Sequence, residues 1–426
     1  MKKLSGIVVS LLFASASGFA DESKITFDQT GSITEIINQA EQAAPDLISV
    51  PVLSISPDEK VSKVKEWTVM VFVNAKNNLE RFGLKDVNEM EMIGSTGEVN
   101  IVVELGRITG YDTSDGDWKG SRRYLIEKDA STSKVTSPVL MEIAKSDMGD
   151  WKHFVEFTKW AQEKFPAKNY MLIVWNHGNG WSKDIRFESN KGISYDSETG
   201  NHMSTPQLAQ ALAQIGKIQI LGMDACLMQM IEVGYEIRDY AEYIVASEET
   251  EPADGYTYNT FLGPLVAKPG MTPKEFSKVT VDSYVNHYQS TGRGATQSSI
   301  NAQALDKFTK LLDDWTTEVI NANEIALVKD AKSKAQSFYL KANKDIHHFI
   351  KLVTAGTQNQ AALERGKAML NFMDTEVVVH NRKYGAKYAN AYGLAVYLPD
   401  SYSTNYDTLQ WANDSKWDDF IKWSVK

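Results

Sequence analysis

Six short runs of apolar residues, rich in Val, Ile and aromatic side chains, recur between positions 67 and 246. Near-continuous apolar runs are typical of strands that are buried on both faces of a sheet. The six predicted strands are Trp67–Val73, Val99–Leu105, Tyr124–Glu127, Tyr170–Trp175, Ile218–Met223 and Tyr243–Ala246. Helical periodicity lies between several of them, as in the aromatic-rich stretch 151–165. Strands that alternate with helices predict an α/β fold, with a mostly parallel sheet flanked by helices.

One of the intervening helices carries clear terminal signals. Ser204 is a good N-cap residue, and Pro206 lies just inside the first turn, where proline is tolerated. The apolar pattern then continues to Ile215, and Gly216 follows directly. We therefore predict a helix that begins after Ser204 and ends near Ile215.

Beyond about residue 265 the pattern becomes mainly helical. The helices predicted there are Thr272–Tyr288, Leu305–Asn323, Val328–Leu340 and Asn359–Val379. A late apolar run, Tyr392–Leu398, predicts one strand that returns to the sheet. A closing amphipathic helix carries Trp411, Trp417, Phe420 and Trp423. We expect a core domain over residues 66–265 and a helical C-terminal region over residues 266–426.

The N-terminal residues have the pattern of a secretory signal peptide. Lys2 and Lys3 precede a short apolar core over residues 4–14, and Gly18-Phe19-Ala20 supplies small residues at the cleavage positions. An anchoring helix is the alternative, but this core is too short to span a bilayer. We predict that residues 1–20 are removed, and that residues 21–65 form an N-terminal segment that is a linker or a propeptide. The protein would then be exported, to the periplasm or to the medium.

Composition narrows the function further. Hydrophobic residues make up 42% of the chain and charged residues 23%, which are ordinary globular values. The formal net charge of −10 argues against a nucleic-acid-binding protein. After signal removal no stretch is long and apolar enough to suggest stable membrane insertion. We therefore expect an exported protein that is not stably inserted in a membrane.

The chain contains a single cysteine, Cys226, which cannot form an intramolecular disulfide. In an exported chain an odd cysteine is either a partner for another molecule or a reactive thiol. The alternative is a buried side chain that acts as a small hydrophobe. The residues near Cys226 in the sequence distinguish a reactive thiol from a buried hydrophobic side chain.

Two predicted strands end in residues that could perform chemistry. The run ending at Trp175 is followed by His177 and Gly178, and the run beginning at Ile218 ends in Asp224, two residues before Cys226. Ligands bind outside the carboxyl ends of parallel strands, and the roughly 30-residue segment between the two runs can hold a crossover helix. Both strand ends should therefore face the same crevice.

These residue types suit cleavage of an amide bond. A thiolate attacks the carbonyl, a nearby imidazole protonates the leaving amine, and backbone N–H groups stabilise the oxyanion. The N–H groups of Gly178 and Cys226 are the natural oxyanion donors. A helix predicted directly after Cys226 would favour the thiolate through its dipole.

Asp224 requires its own explanation, because a carboxylate beside a thiol raises the pKa of that thiol. One interpretation is that Asp224 caps the following helix. The other is that it binds a cationic substrate side chain, Arg or Lys. No metal motif is present. The loop with Asp112, Asp115 and Asp117 lacks the spacing of an EF-hand, so we interpret it as a hairpin turn.

The order of these blocks resembles the clostripain family of cysteine peptidases, in the caspase-like clan that also holds gingipain, legumain and caspases. The resemblance extends over roughly residues 66–400. It is carried by Ile173-Val-Trp-Asn-His177-Gly178 and Asp224-Ala-Cys226-Leu-Met, with support from Asn74-Ala-Lys-Asn-Asn-Leu79, Ala246-Ser-Glu-Glu-Thr-Glu-Pro252, Asp254-Gly255 and Tyr392-Gly-Leu-Ala-Val-Tyr-Leu-Pro399.

The resemblance implies a caspase-like catalytic domain over residues 66–265 and an endopeptidase that cuts after Arg or Lys. His177 and Cys226 would be the catalytic dyad, lying apart across the scissile bond, and Asp224 would set the preference for Arg or Lys. The segment 248–256 would flank the cleft, with Glu249 and Thr250 contacting substrate.

The resemblance also implies a zymogen cut between the His and Cys blocks. Lys183, Arg186 and Lys191 lie there, and Lys191-Gly192 is the preferred bond. Lys76 departs from the family, whose members often carry an acid at this position. Calcium dependence varies within the family, and no motif decides it here.

Three functional hypotheses remain. The leading one is an exported, monomeric cysteine endopeptidase that acts on peptides containing Arg or Lys. A non-catalytic binding protein on the same scaffold is the second, although an intact His177, Gly178 and Cys226 argue against it. An amidase or transpeptidase using the same dyad is the third.

Overall fold

The protein is described by a computed structural model covering residues 64–181 and 192–426. The predicted signal peptide, all but the last two residues of segment 21–65, and the basic residues Lys183, Arg186 and Lys191 lie outside the described residues.

A mixed sheet of nine strands forms the centre of the described chain, in the order β10-β8-β7-β6-β5-β1-β2-β3-β4. Its strands are β1 (Lys65–Asn74), β2 (Val99–Arg107), β3 (Gly120–Leu125), β4 (Val139–Ile143), β5 (Ala167–Trp175), β6 (Ile218–Asp224), β7 (Ala241–Ala246), β8 (Ala295–Asn301) and β10 (Val378–Tyr384). The five central strands are parallel, and two antiparallel strands extend each edge. The predicted α/β class with a mostly parallel sheet is confirmed.

The helices of the described chain lie between these strands and after them. They are α1 (Glu80–Glu91), α2 (Trp151–Lys164), α3 (Thr205–Ile215), α4 (Ile231–Ile237), α5 (Tyr258–Ala267), α6 (Pro273–Ser290), α7 (Leu305–Ala322), α8 (Ile325–Lys334), α9 (Ile346–Gly356), α10 (Gln360–Phe372), α11 (Gln410–Asp414) and α12 (Trp417–Ser424). The predicted terminal signals of α3 are confirmed, since Ser204 forms a capping box with Gln207 and Gly216 follows the last turn with φ +91°.

The C-terminal region does return to the sheet, but through β8 and β10, and the segment predicted to do so was wrong. The predicted helix Asn359–Val379 also ends early, because β10 begins at Val378. The run Tyr392–Leu398 does not return to the sheet. Its strand β11 (Ala395–Tyr397) pairs with β9 (Asn343–Asp345) in a separate two-stranded sheet. The position beside β7 is already occupied by β8, and Ser298 on β8 donates a hydrogen bond of 2.6 Å to the carbonyl of Gly393. The late run therefore packs across β8 instead of extending the sheet.

Alternation along the strands gives the sheet two hydrophobic cores. On β1, Met70 and Phe72 face one core, where α2, α3 and the C-terminal helices pack. Val69 and Val71 face the other, against α1, α5 and α6. Because successive strand residues point to opposite faces, a strand covered on both sides must be apolar throughout, as the sequence pattern indicated.

The order of the strands positions the site. The chain moves outward from β1 to β2 on one side, and from β5 through β6 to β7 on the other. Connections that leave in opposite directions create a crevice at the carboxyl ends of β1 and β5. The segments that follow β1, β5, β6 and β7 all meet at this edge.

Candidate active site

His177 and Cys226 lie at the same edge of the sheet because their strands are neighbours in register. Trp175 and Asp224 are paired residues on β5 and β6, and the N–H of Asn176 donates to the carbonyl of Asp224 at 3.2 Å. Each candidate catalytic residue follows its paired residue by two positions. Both line a cleft of about 250 Å³. Its lining residues are Leu79, Trp175, Asn176, His177, Asp224, Ala225, Cys226, Glu251, Pro252, Ala253 and Gly255.

Gly178 brings the two blocks into contact. A Cβ atom at this position would lie 2.5 Å from the carbonyl oxygen of Cys226, so a side chain there would force the segments apart. Among the described residues, no other residue accepts a hydrogen bond from the N–H of Gly178 or of Cys226. Both groups therefore remain available to a ligand.

His177 is held by polar residues that follow β1 and β5. Its Nε2 lies 2.8 Å from Oδ1 of Asn78. An amide oxygen only accepts, so this bond requires the proton on Nε2 and leaves Nδ1 for a reacting group. Asn176 accepts from the N–H of His177 at 2.6 Å and donates to the carbonyl of Asn74 at 2.5 Å. Burial lowers the pKa of His177, which favours the neutral imidazole.

The thiol of Cys226 is half-buried and accepts a hydrogen bond of 3.2 Å from the N–H of Glu251. Burial raises its pKa, and the negative charges of Asp224 and Glu249 add to this effect, which the N–H of Glu251 opposes. The helix expected directly after Cys226 is absent at that point, because residues 225–230 are not helical and α4 begins only at Ile231. The prediction that a helix dipole favours the thiolate is therefore wrong.

Asp224 lines the cleft and is 4% exposed. Its carboxylate accepts from the N–H of Tyr256 at 3.1 Å and from the hydroxyl of Tyr258 at 2.9 Å. It caps no helix, so that interpretation is excluded. Burial raises the pKa of Asp224 to about 6. A buried carboxylate beside a thiol is unfavourable without a positive charge nearby, and binding of a cation would explain its presence.

Glu251 was not singled out by the sequence, although it lies inside one of the quoted blocks. The segment after β7 runs alongside the residues that follow Cys226, with the N–H of Leu227 donating to the carbonyl of Glu249 at 3.1 Å. This pairing places the Glu251 side chain in the cleft. Asn78 was missed for a similar reason, since its role depends on a contact 99 residues away.

The predicted substrate contacts Glu249 and Thr250 do not line the cleft. The Glu249 carboxylate binds Lys387 at 3.0 Å and accepts from the N–H groups of Tyr339 and Thr250, both at 2.9 Å. The cleft wall is formed by the next residues of the same segment, from Glu251 onward.

Lys76, the departure from the family pattern, is fully buried. Its ammonium group pairs with Asp196 at 3.0 Å and with Glu198 at 2.6 Å, and it donates to the carbonyl of Ser146. It therefore ties the segment after β1 to the segment that follows Gly192. The preferred processing bond joins Lys191 to Gly192, and Lys191 lies outside the described residues. Gly192 has φ +104°, and its carbonyl accepts a hydrogen bond of 3.0 Å from the N–H of Asn179.

A larger cavity of about 440 Å³ lies in the C-terminal region, and its walls carry Lys329, Lys332, Lys341 and Lys344. It contains none of the residues predicted for catalysis, so the smaller cleft is the candidate site. Within residues 64–181 and 192–426, no three His, Cys, Asp or Glu side chains are grouped to hold a metal ion. In the same ranges, no helix is both long and apolar enough to cross a bilayer.

A cysteine and a histidine at adjacent strand ends of a mixed sheet are the arrangement of a caspase-like cysteine peptidase. Comparison with protein families agrees, since the family model described as clostripain family, peptidase C11, matches residues 71–423. This chain belongs to the clostripain family, as the sequence blocks indicated.

Individual relatives are distant. Clostripain of Hathewaya histolytica is 24% identical over 240 residues, a match that spans 51% of this chain and 46% of that protein, so the chain spans about half of its length. A secreted C11 cysteine protease from Bacteroides thetaiotaomicron, solved with an irreversible peptide inhibitor, is 20% identical with a TM-score of 0.64. An inactive zymogen C11 protease from Parabacteroides distasonis is 19% identical with a TM-score of 0.61. Each structure match covers 83% of this chain and 99% of the other, which establishes the shared fold.

Proposed function

We propose that this protein is an exported cysteine endopeptidase that cleaves peptide bonds after Arg or Lys, with His177 and Cys226 as its catalytic dyad. The observation that carries the proposal is one cleft containing the only thiol of the chain, an imidazole and a buried carboxylate. Asp224 lies beside Cys226 and would receive the cationic side chain of the residue preceding the cut.

The chemistry needs few groups. The thiolate of Cys226 attacks the carbonyl carbon, after its proton has passed to the imidazole directly or through water. The N–H groups of Gly178 and Cys226 would bind the oxyanion. The C–N bond then breaks as His177 protonates the leaving amine, which leaves a thioester. Water hydrolyses this thioester, releases the acid and restores the thiol.

Export and processing are part of the proposal. Residues 1–20 have the signal-peptide pattern, and one structural relative is described as secreted. Cleavage at Lys191-Gly192 would give Gly192 a new amino terminus. This terminus would be held close to the His block, because its carbonyl accepts from Asn179. Intact-mass measurement of active enzyme tests this step, and a single uncut, fully active chain would contradict it.

Turnover of short fluorogenic peptides tests the peptidase activity. The chain from Asp21 onward and its Cys226→Ala variant would each receive peptides ending in Arg, Lys, Asp, Asn or Leu, with and without calcium. We expect turnover of Arg or Lys peptides that disappears in the variant. No turnover, with Cys226 unreactive to an Arg-directed ketone, would favour the non-catalytic binding protein.

The same panel separates the remaining alternatives. Ligated products or release of small amides without peptide cleavage would indicate a transpeptidase or an amidase. Turnover of Asp or Asn peptides would retain the dyad and reject the role of Asp224. Size-exclusion chromatography of the active enzyme tests the expected monomer.

A further inference from the structure

The carboxyl group of Glu251 is buried in the cleft without a hydrogen-bond donor. Neither of its oxygens accepts from an N–H or O–H among the described residues, and both are shielded from solvent although the residue itself is partly exposed. An unpartnered buried carboxylate is costly, so such a group needs a proton or a cationic partner. The carboxyl group of Asp224 lies within hydrogen-bonding reach of it.

Asp224 and Glu251 are not equivalent members of this pair. Asp224 already accepts two hydrogen bonds, from Tyr256 and Tyr258, which stabilise its ionised form. Glu251 has no such support, and burial together with the charge of Asp224 raises its pKa well above the ordinary value. Two carboxyl groups at hydrogen-bonding distance cannot both remain ionised in a buried site. The proton of the empty pocket therefore belongs on Glu251, which donates it to Asp224.

Among residues 64–181 and 192–426, the titratable groups recorded as acting on the pair do not supply a positive charge. The titratable groups that act on it are Asp86, Glu89, Asp224, Cys226, Tyr256, Tyr258, Tyr284 and Tyr288. The nearby ammonium group of Lys85 pairs with Glu89 at 3.3 Å and with Asp254 at 3.2 Å. Since none of these described groups is a free cation, the positive charge that the pair lacks can come from a ligand.

We propose that Glu251 is the second carboxyl group of the cation-binding pocket, that it shares one proton with Asp224 while the pocket is empty, and that an entering guanidinium or ammonium group displaces this proton. This inference rests on the proposed cleavage after Arg or Lys. The displaced proton passes to solvent, and two carboxylates then face one cation. A planar guanidinium can contact both carboxylates at once.

Calorimetry of ligand binding measures the displaced proton directly. The active chain from Asp21 onward would be titrated at pH 7 with a tripeptide ending in Arg, a product that it cannot cleave further, in two buffers of different ionisation enthalpy. The buffer dependence of the heat gives the number of protons released. We expect about one proton per peptide, and affinity that rises with pH while the free pair holds its proton.

Three comparisons make the measurement specific. The same tripeptide ending in citrulline has a neutral urea of nearly the same shape, and it should bind more weakly without proton release. In the Glu251→Gln variant, affinity for the Arg peptide should fall about tenfold and the released proton should be lost. Glu236→Gln is the matched control, since Glu236 also has a pKa raised by burial but accepts from the N–H of Trp411 outside the cleft. That variant should bind and release as the parent does.

Failure of this inference can be distinguished from failure of the proposed function. Binding of the Arg peptide in preference to citrulline, but without proton release, would overturn proton sharing alone. Unchanged affinity in Glu251→Gln would overturn the role of Glu251. Equal binding of the Arg and citrulline peptides would overturn both this inference and the proposed specificity, and the fluorogenic panel would then show whether the peptidase activity survives.

Discussion

Replacing Gly178 with alanine should separate the two catalytic blocks. The added Cβ would lie 2.5 Å from the carbonyl oxygen of Cys226 and 3.0 Å from side-chain carbons of Ala225 and Met228. A carbon and a carbonyl oxygen approach to about 3.3 Å, so the segments must move apart by about 0.8 Å. The backbone of Gly178 is not in the left-handed region, so this contact alone causes the strain.

The displacement has two measurable consequences. Overpacking of this kind costs about 1–3 kcal/mol of folding stability, which leaves the protein folded at 25 °C. A shift of about 1 Å between reacting groups costs roughly a hundredfold in rate. We therefore expect kcat/KM for an Arg peptide to fall by about two orders of magnitude in Gly178→Ala.

Steady-state kinetics and thermal unfolding check this prediction together. Gly97→Ala is the control, because a Cβ there meets nothing within 4 Å, and this exposed position precedes the amino end of β2, whereas the cleft lies at the carboxyl ends of the strands. It should retain activity and unfold as the parent does. Full activity and stability in Gly178→Ala would refute the proposed contact between the His and Cys blocks.

Three other predictions follow from particular contacts. Asn78→Ala removes the hydrogen bond to Nε2 of His177, so kcat should fall about tenfold while KM stays near the parent value. The pH dependence of kcat should also shift. An unchanged pH profile would exclude a positioning role for Asn78. Lys76→Met leaves Asp196 as a buried charge without its cationic partner, so the free energy of unfolding measured in urea should fall by about 3–5 kcal/mol. The double variant Lys76→Met/Asp196→Asn should recover part of this loss. Burial opposes ionisation of Glu104, but His153 at 2.5 Å and Arg123 at 2.7 Å more than offset it and lower its pKa from 4.5 to about 2. The stability that the Glu104 carboxylate contributes is present above pH 4.5 and is lost as the pH falls toward 2. In Glu104→Gln, the free energy of unfolding should therefore depend less on pH between 4.5 and 2 than in the parent.

The central sheet was predictable because its strands are covered on both faces. An exposed strand or helix does not need apolar residues at consecutive positions, whereas a strand covered on both faces does. The apolar runs that contain Val69, Ile101, Ile173 and Ile220 therefore indicated the buried strands. The alignment of His177 with Cys226 followed from the same pattern, since parallel neighbours end at the same edge.

Strand β8 was hidden by its polar composition. Its residues Thr296, Gln297, Ser298 and Ser299 are buried, and each has a side-chain hydrogen bond to a partner distant in sequence, such as Ser277 at 2.8 Å from Ser299. The local pattern of apolar residues does not predict such a strand, because the residues that stabilise it belong to other elements.

The missing parts of the site depend on tertiary contacts in the same way. Glu251 acquires its role only when the segment after β7 packs against the residues after Cys226. The expected helix after Cys226 failed because Leu227 adopts φ +64°, which turns the chain before α4 can begin. A sequence pattern indicates that a strand ends there, but the conformation of the turn depends on these contacts.

The most direct test of the account is the identity of the residue that precedes each cut. The active chain and its Cys226→Ala variant would each be incubated with a mixture of unstructured peptides, and the products would be sequenced by mass spectrometry. We predict cuts after Arg or Lys with the active chain and none with the variant. Cuts distributed over other residues, or the same cuts with Cys226→Ala, would contradict it.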